Sequence, residues 1–140
     1  NYFPKTLPNA LAIMALNQFN KLKKFNEHRK IISDFYYQEL QDTQFILPEK
    51  SDNIFLRFSI KHPKAHEIIY DAWHKENILL GDWYTSVIAP ADTGLSEMHY
   101  DPGSCPVAEK LSKITLNLPT HINISIKDAQ RIISFIKKWK

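Results

Sequence analysis

The stretch Cys105-Pro106-Val107-Ala108-Glu109-Lys110-Leu111-Ser112-Lys113-Ile114-Thr115-Leu116-Asn117-Leu118-Pro119 turns from helix to strand within fifteen residues. Pro106 suits the first turn of a helix, where its missing N–H costs little, so a short helix is expected from Pro106 to Lys113. Ile114 to Leu118 then reads as a strand that Pro119 stops. Downstream, Ser125 with Asp128 three residues later predicts an N-cap followed by an acidic first turn. The last helix is expected from Ser125 to Trp139, with Lys137, Lys138 and Lys140 giving the favourable sign at its end.

Upstream, Ile54 to Ile60 reads as a strand with Ile54, Leu56, Phe58 and Ile60 on the inner face and Phe55 and Arg57 on the other. Pro63 opens a helix through about Glu76 that carries Ile69 and Trp73, flanked by Ile68 and Ala72, and Asn77 ends it. Ile78 to Tyr84 predicts another strand. The loop from Thr85 to Ser104 far exceeds the usual connection of about four to six residues, which marks it as functional or ordered by a partner. Ahead of these elements lies one long helix, from Pro8 to about Leu40, with no Pro or Gly in its interior. Its second half carries a single apolar stripe through Leu22, Phe25, Ile32, Phe35, Tyr36 and Leu40. Its first half, Ala10 to Leu16, is seven consecutive apolar residues. A helix apolar on every face needs cover on every side, and a domain this small cannot surround it, so another domain or subunit is expected there.

The expected fold is α/β of the α+β type: a long N-terminal helix over 1–40, then β-α-β-α-β-α over 41–140, with a small three-stranded sheet covered by helices. At 140 residues, 44% hydrophobic and 24% charged, the chain fits one ordinary globular domain. No stretch approaches the roughly 18 to 20 apolar residues that cross a bilayer, so no membrane partner is expected. The only glycines, Gly81, Gly94 and Gly103, are too sparse for a dinucleotide fingerprint or a phosphate-cradling loop. Cys105 stands alone, which points to a reducing, cytoplasmic setting. The chain opens at Asn1 with no methionine and no signal-like run, and is read as a piece of something longer.

Net charge is +3, unevenly spread: residues 1–30 hold six Lys or Arg against one acid, and 125–140 hold five against one. Solvated helix faces account for this, and no nucleic-acid partner is assigned. His62 and His66, four apart beside Glu67, have the spacing of a zinc pair, but Pro63 lies between them and no second ligand pair exists. They read as two exposed histidines, and no metal ligand is assigned. Cys105 with His99 would make a nucleophile and base, yet Cys105 sits where a small capping residue is expected, so no catalytic residue is assigned. Trp83, Tyr84 and Tyr100 bracket the long loop, where they either stack on a planar ligand or close the edge of the core.

Three runs carry a family resemblance: Leu7-Pro8-Asn9-Ala10-Leu11-Ala12, then Ala15 to Leu22, then Asn26-Glu27-His28-Arg29. They resemble the helix joining the two domains of the DegT/DnrJ/StrS family of sugar aminotransferases. More specifically, Cys105 to Leu111 followed by Leu116-Asn117-Leu118-Pro119-Thr120-His121 is similar to that family's C-terminal segment. The resemblance implies the C-terminal small domain of a fold-type-I enzyme that uses pyridoxal phosphate on a nucleotide sugar. It also implies an N-terminal cofactor-binding domain as the missing partner and a homodimer formed through the N-terminal helix. In the family the imine-forming lysine, the aspartate on the pyridine nitrogen and most phosphate contacts lie in the large domain, so no catalytic or cofactor-binding residue is carried over. The family's Asn-Tyr-Arg stretch before the helix falls on Pro4, Lys5 and Thr6, and Asn1-Tyr2 fits it only with an insertion. Trp83 and Tyr84 match the aromatic pair that opens the substrate-side loop and are assigned to substrate binding. Ile88 and Ala89 stand where a His is common. The rival reading is a stand-alone, non-enzymatic binding module derived from such an enzyme, using the basic ends or the aromatic loop.

Overall fold

In the computed structural model, which describes residues 6–90 and 92–139, the elements are α1 (Asn9–Phe19), α2 (Leu22–Leu40), β1 (Arg57–Lys61), α3 (Ala65–Glu76), α4 (Pro106–Ile114), β2 (Thr115–Pro119) and α5 (Ile126–Ile136). The readings on Asn1, Tyr2, Pro4, Lys5 and Lys140 lie outside the described residues. Strands β1 and β2 pair antiparallel, from Arg57 opposite Pro119 to Lys61 opposite Thr115. At the outer edge of β1 a single bridge joins Ile46 to Lys61, and beyond β2 another joins Gly81 to Asn117. Phe58, Ile60, Leu116 and Leu118 are fully buried with Ile32, Tyr36 and Leu40 of α2, Ile68 and Ala72 of α3, and Ile133 and Ile136 of α5. Three rings interlock at the centre. Phe58 meets Tyr37 edge-on at 4.9 Å and Tyr36 tilted at 5.6 Å. The Tyr36 hydroxyl escapes the core by donating to the Pro119 carbonyl at 3.0 Å.

Several expectations need correction. The single helix over 8–40 is two helices: at Asn20 and Lys21 the chain tightens into an i to i−3 bond, Lys21 N–H to Gln18 O at 3.0 Å. The run Asn17-Gln18-Phe19-Asn20 holds two asparagines, poor helix formers whose side chains compete for the backbone. The first strand begins at Arg57 rather than Ile54, and Ile54 and Leu56 are exposed. Pairing ends where Arg57 faces Pro119, which has no N–H to donate. The carbonyls of Phe55 and Leu56 turn instead to the Thr120 hydroxyl, at 2.8 and 2.9 Å.

The expected three-stranded sheet is two-stranded. Ile78 and Leu80 are buried and Leu79 is exposed, so the alternation read in 78–84 is present, but only Gly81 joins the ladder. The next carbonyl the ladder would use, that of Trp83, accepts from the Asn117 side chain at 2.7 Å, and Tyr84 turns away at φ 68°. On α3 the buried residues are Ala65, Ile68 and Ala72, while Trp73 is half exposed. Helix α4 and the N-cap of α5 match expectation. Ser125 and Asp128 form a full capping box, and the hydrogen bonds of Ser125 hold the Asp128 carboxyl below its usual range.

Helix α1 contributes no buried residue: Ile13 is 64% and Phe19 70% exposed. Core truncation and α1 truncation therefore separate cleanly. Ile133→Ala is expected to cost about 2–5 kcal/mol and Ile13→Ala less than about 0.5 kcal/mol, measured by urea denaturation.

His62 is buried, not exposed. Its ring packs on Phe45 with centroids 4.6 Å apart, and its Nδ1 accepts from the Lys64 N–H at 3.1 Å. Burial first and the Lys64 charge second push the imidazole below the ordinary histidine range, against a smaller opposing effect of Glu67. The unfolded chain thus takes up a proton before the folded one does, so this contribution to stability is complete above about pH 6.5 and is lost as pH falls below it. The urea midpoint is expected to fall between pH 7.5 and 5.5, with a smaller fall in His62→Gln.

Candidate functional site

Asn117, buried at the middle of β2, organises the surface beyond the sheet. Its backbone exchanges two bonds with Gly81, at 2.8 and 3.1 Å. Its side chain accepts from the Ser59 hydroxyl at 2.5 Å and donates to the Trp83 carbonyl at 2.7 Å. A β-carbon on Gly81 would stand 3.0 Å from that of Asn117 and 3.2 Å from Arg57 Nη1, so glycine is what allows the 78–84 segment this close. After Trp83 the chain reverses at Tyr84, and the Thr85 hydroxyl closes the turn on the Asp82 carbonyl at 2.6 Å.

The consequence is an aromatic pair held by its backbone and presented to solvent, with Trp83 53% and Tyr84 62% exposed. They do not close the core. Trp83 borders two cavities. One, about 500 Å³, is lined by Trp83, Tyr84, Thr85, Ala89 and Pro90. The other, about 460 Å³, is lined by Arg57, Gly81, Trp83, Asn117 and His121, with Asp82 reaching both. The Arg57 guanidinium lies over the Trp83 ring, 4.2 Å from its centroid. Together these features form a pocketed surface with a flat ring, a fixed cation and hydrogen-bonding side chains, suited to binding a polar ligand that has a planar part.

Tyr100 lines neither of these two cavities. It donates to Glu109 Oε1 at 2.7 Å, which also accepts from the Gly103 N–H, pinning the end of the long loop to α4. These two bonds hold the Glu109 carboxyl low, and the bond to Glu109 raises the phenol. Cys105 occupies the N-cap position of α4 without a side-chain capping bond, and it is exposed. Of the histidine pair, His62 is in the core while His66 Nε2 bonds the Ser112 carbonyl at 2.9 Å. Among the described residues no three metal-ligating side chains come together, and no helix is long and apolar enough to cross a membrane.

Arg57, Asn117 and His121 were not singled out by sequence. The strand alternation already set Arg57 on the face opposite the core, which was the available signal. Asn117 and His121 lie in the Leu116–His121 run that carries the resemblance, but the role of Asn117 was not legible, because its partners Ser59, Gly81 and Trp83 are brought to it by the fold.

The family model described as the DegT/DnrJ/EryC1/StrS aminotransferase family matches residues 4–137. Among solved structures, a DegT DnrJ EryC1 StrS aminotransferase from Brucella abortus is 26% identical with a TM-score of 0.71, covering 89% of this chain and 33% of that one. DesV from S. venezuelae, solved in complex with a ketimine intermediate, is 20% identical with a TM-score of 0.73, covering 86% and 33%. The sugar aminotransferase CalS13 from Micromonospora echinospora is 12% identical with a TM-score of 0.69, covering 89% and 33%. At their low identity these last two speak for the fold alone. No curated protein matches. The chain spans about a third of the length of the structures it resembles. With its mixed helix and strand architecture and a family match over nearly its whole length, the chain belongs to the DegT/DnrJ/EryC1/StrS aminotransferase family.

Proposed function

We propose that this chain is the C-terminal small domain of a pyridoxal-phosphate-dependent nucleotide-sugar aminotransferase of the cytoplasm, with residues 1–40 as the interdomain helical segment and 41–140 as the small α/β domain. The observation that carries this reading is the family match over residues 4–137 in a chain that covers only a third of its structural relatives. The cofactor, when bound in the complete enzyme, supplies the electron sink for amino transfer. This chain's residues do not fit it by themselves: among the described residues no lysine lines these two cavities, so no step through the cofactor is derived from them. Their part is to bind and orient. Trp83 and Tyr84 offer flat apolar faces to the substrate, and the loop beyond them limits water around it.

Helix α1 is the second support. Leu11, Ile13, Met14, Leu16 and Phe19 are all more than half exposed, on every side of the helix. Soluble chains rarely leave such a surface bare, and at about 25 cal/mol per Å² of apolar area it supplies several kcal/mol for association before ordering costs. In the complete enzyme this helix meets the large domain and the partner subunit of a homodimer.

The coding sequence ahead of Asn1 tests the assignment. A large domain with an imine-forming lysine is expected there, and a start codon immediately before Asn1 would favour the stand-alone binding module. For the chain itself, sedimentation at high-micromolar concentration is expected to show self-association that Leu11→Glu with Met14→Glu abolishes without loss of helicity. A monomeric unmodified chain would remove the argument from α1.

A further inference from the structure

A groove on the outer side of α3 is separate from the two cavities that Trp83 borders. At the end of α3, Asn77 takes the left-handed conformation at φ 52° and the Ile78 N–H returns to the Ala72 carbonyl at 2.7 Å, so the chain doubles back beside the helix it has just left. Ala65, Ile68 and Ala72 face the core, which turns Tyr70 and Trp73 outward. Between these rings and Leu79 lies a cavity of about 430 Å³ with the partly buried Ile69 in its lining. Tyr70, Trp73 and Leu79 are each more than half exposed. Its charge is as particular as its shape. Of the residues lining it, Asp82 alone carries a fixed charge, and that carboxylate is exposed and takes no part in a hydrogen bond or ion pair among the described residues. Lys75, the only lysine of α3, is paired with Asp71 at 2.7 Å. The Tyr70 and His74 rings stack with centroids 3.9 Å apart, and His74 Nδ1 bonds the Tyr70 carbonyl at 2.9 Å, which leaves Nε2 of the neutral ring as an acceptor.

We propose that this groove is a binding site for a methylated ammonium group, held against the Trp73 and Tyr70 rings with Asp82 as its counter-charge. The negative faces of aromatic rings attract a cation, Trp most strongly. A methylated ammonium has a diffuse charge and an apolar surface, so it leaves water at less cost than a primary amine and needs no hydrogen-bond acceptor from the apolar wall. Ile69 and Leu79 then take the carbon chain attached to it. The Trp83 ring does not compete for this ligand, because the Arg57 guanidinium already lies over it at 4.2 Å and repels a second cation. The site is independent of the reading of Trp83 and Tyr84 as substrate-facing. The same chemistry is offered by a soluble amine and by a lipid headgroup, which the test separates.

The test is a titration of the full ¹⁵N-labelled chain with choline and with dimethylbutanol, the uncharged isostere of choline, following the Trp73 indole N–H with that of Trp83 as internal reference. Choline is expected to shift Trp73 saturably in the millimolar range and to leave Trp83 in place. The isostere is expected to bind about threefold to tenfold more weakly, the margin set by the ring faces and the carboxylate. Asp82→Asn is expected to weaken choline by a similar factor and to leave the isostere unchanged. Trp73→Leu, followed at the Leu79 amide, is expected to weaken choline at least about threefold. Co-sedimentation with phosphatidylcholine vesicles that Trp73→Leu abolishes would assign the cation to a lipid headgroup, and a choline shift without co-sedimentation would assign it to a soluble amine. Either outcome supports the site. An isostere that binds as tightly as choline, choline binding indifferent to Asp82→Asn in a chain whose spectrum remains dispersed, or a saturable shift at Trp83 in place of Trp73 would overturn it.

Discussion

Asn117 is a single buried side chain on which three separate segments depend. Its amide takes the Ser59 hydroxyl from β1 and gives to the Trp83 carbonyl, while its backbone holds Gly81. Buried polar groups are costly unless every donor and acceptor finds a partner, and here the partners are themselves the parts that need placing. The sheet therefore stops at two strands and a bridge, and the third segment is spent on presenting Trp83 outward instead of on extending the ladder.

The molecule divides energetically into a closed part and an open part. From Ile32 onward the interior is filled by aliphatic side chains and the Tyr36, Tyr37 and Phe58 cluster, with the polar ends of the tyrosines satisfied by the Pro119 and Pro48 carbonyls. Helix α1 has the opposite character: it is as apolar as a core helix and buries nothing. Both follow from one rule, that apolar surface is stabilising only where something covers it. The part from α2 onward supplies its own cover, and α1 finds none within the described residues.

The pocketed surface around Trp83 shows how a binding region is assembled from weak local signals. The glycine at 81 admits the segment, the positive φ at Tyr84 reverses it, and the outward register of β1 sets Arg57 across the indole. None of these is a catalytic group. Each fixes the position of the aromatic pair or of the cation beside it.

Much was legible in the sequence because it depends on near neighbours alone. Pro106 at a helix start, the Ser125 and Asp128 cap, the αL residue Asn77 closing α3, and the bare apolar run of α1 all follow from local sterics and periodicity. The Trp83-Tyr84 pair, the His62-His66 pair and the strand limits required more. Which carbonyl a distant hydroxyl takes, whether an imidazole lies under a phenyl ring, and whether an alternating segment finds a ladder or a side-chain amide are decided between residues tens of positions apart. His62 became a core residue through Phe45, and the 78–84 segment lost its strand to Asn117. Sequence determined most of the helices, the order of the elements and the apolar run left uncovered; tertiary structure alone decided how far the sheet extends and set Arg57 beside Trp83, because those outcomes are competitions for partners that only meet once the chain has folded.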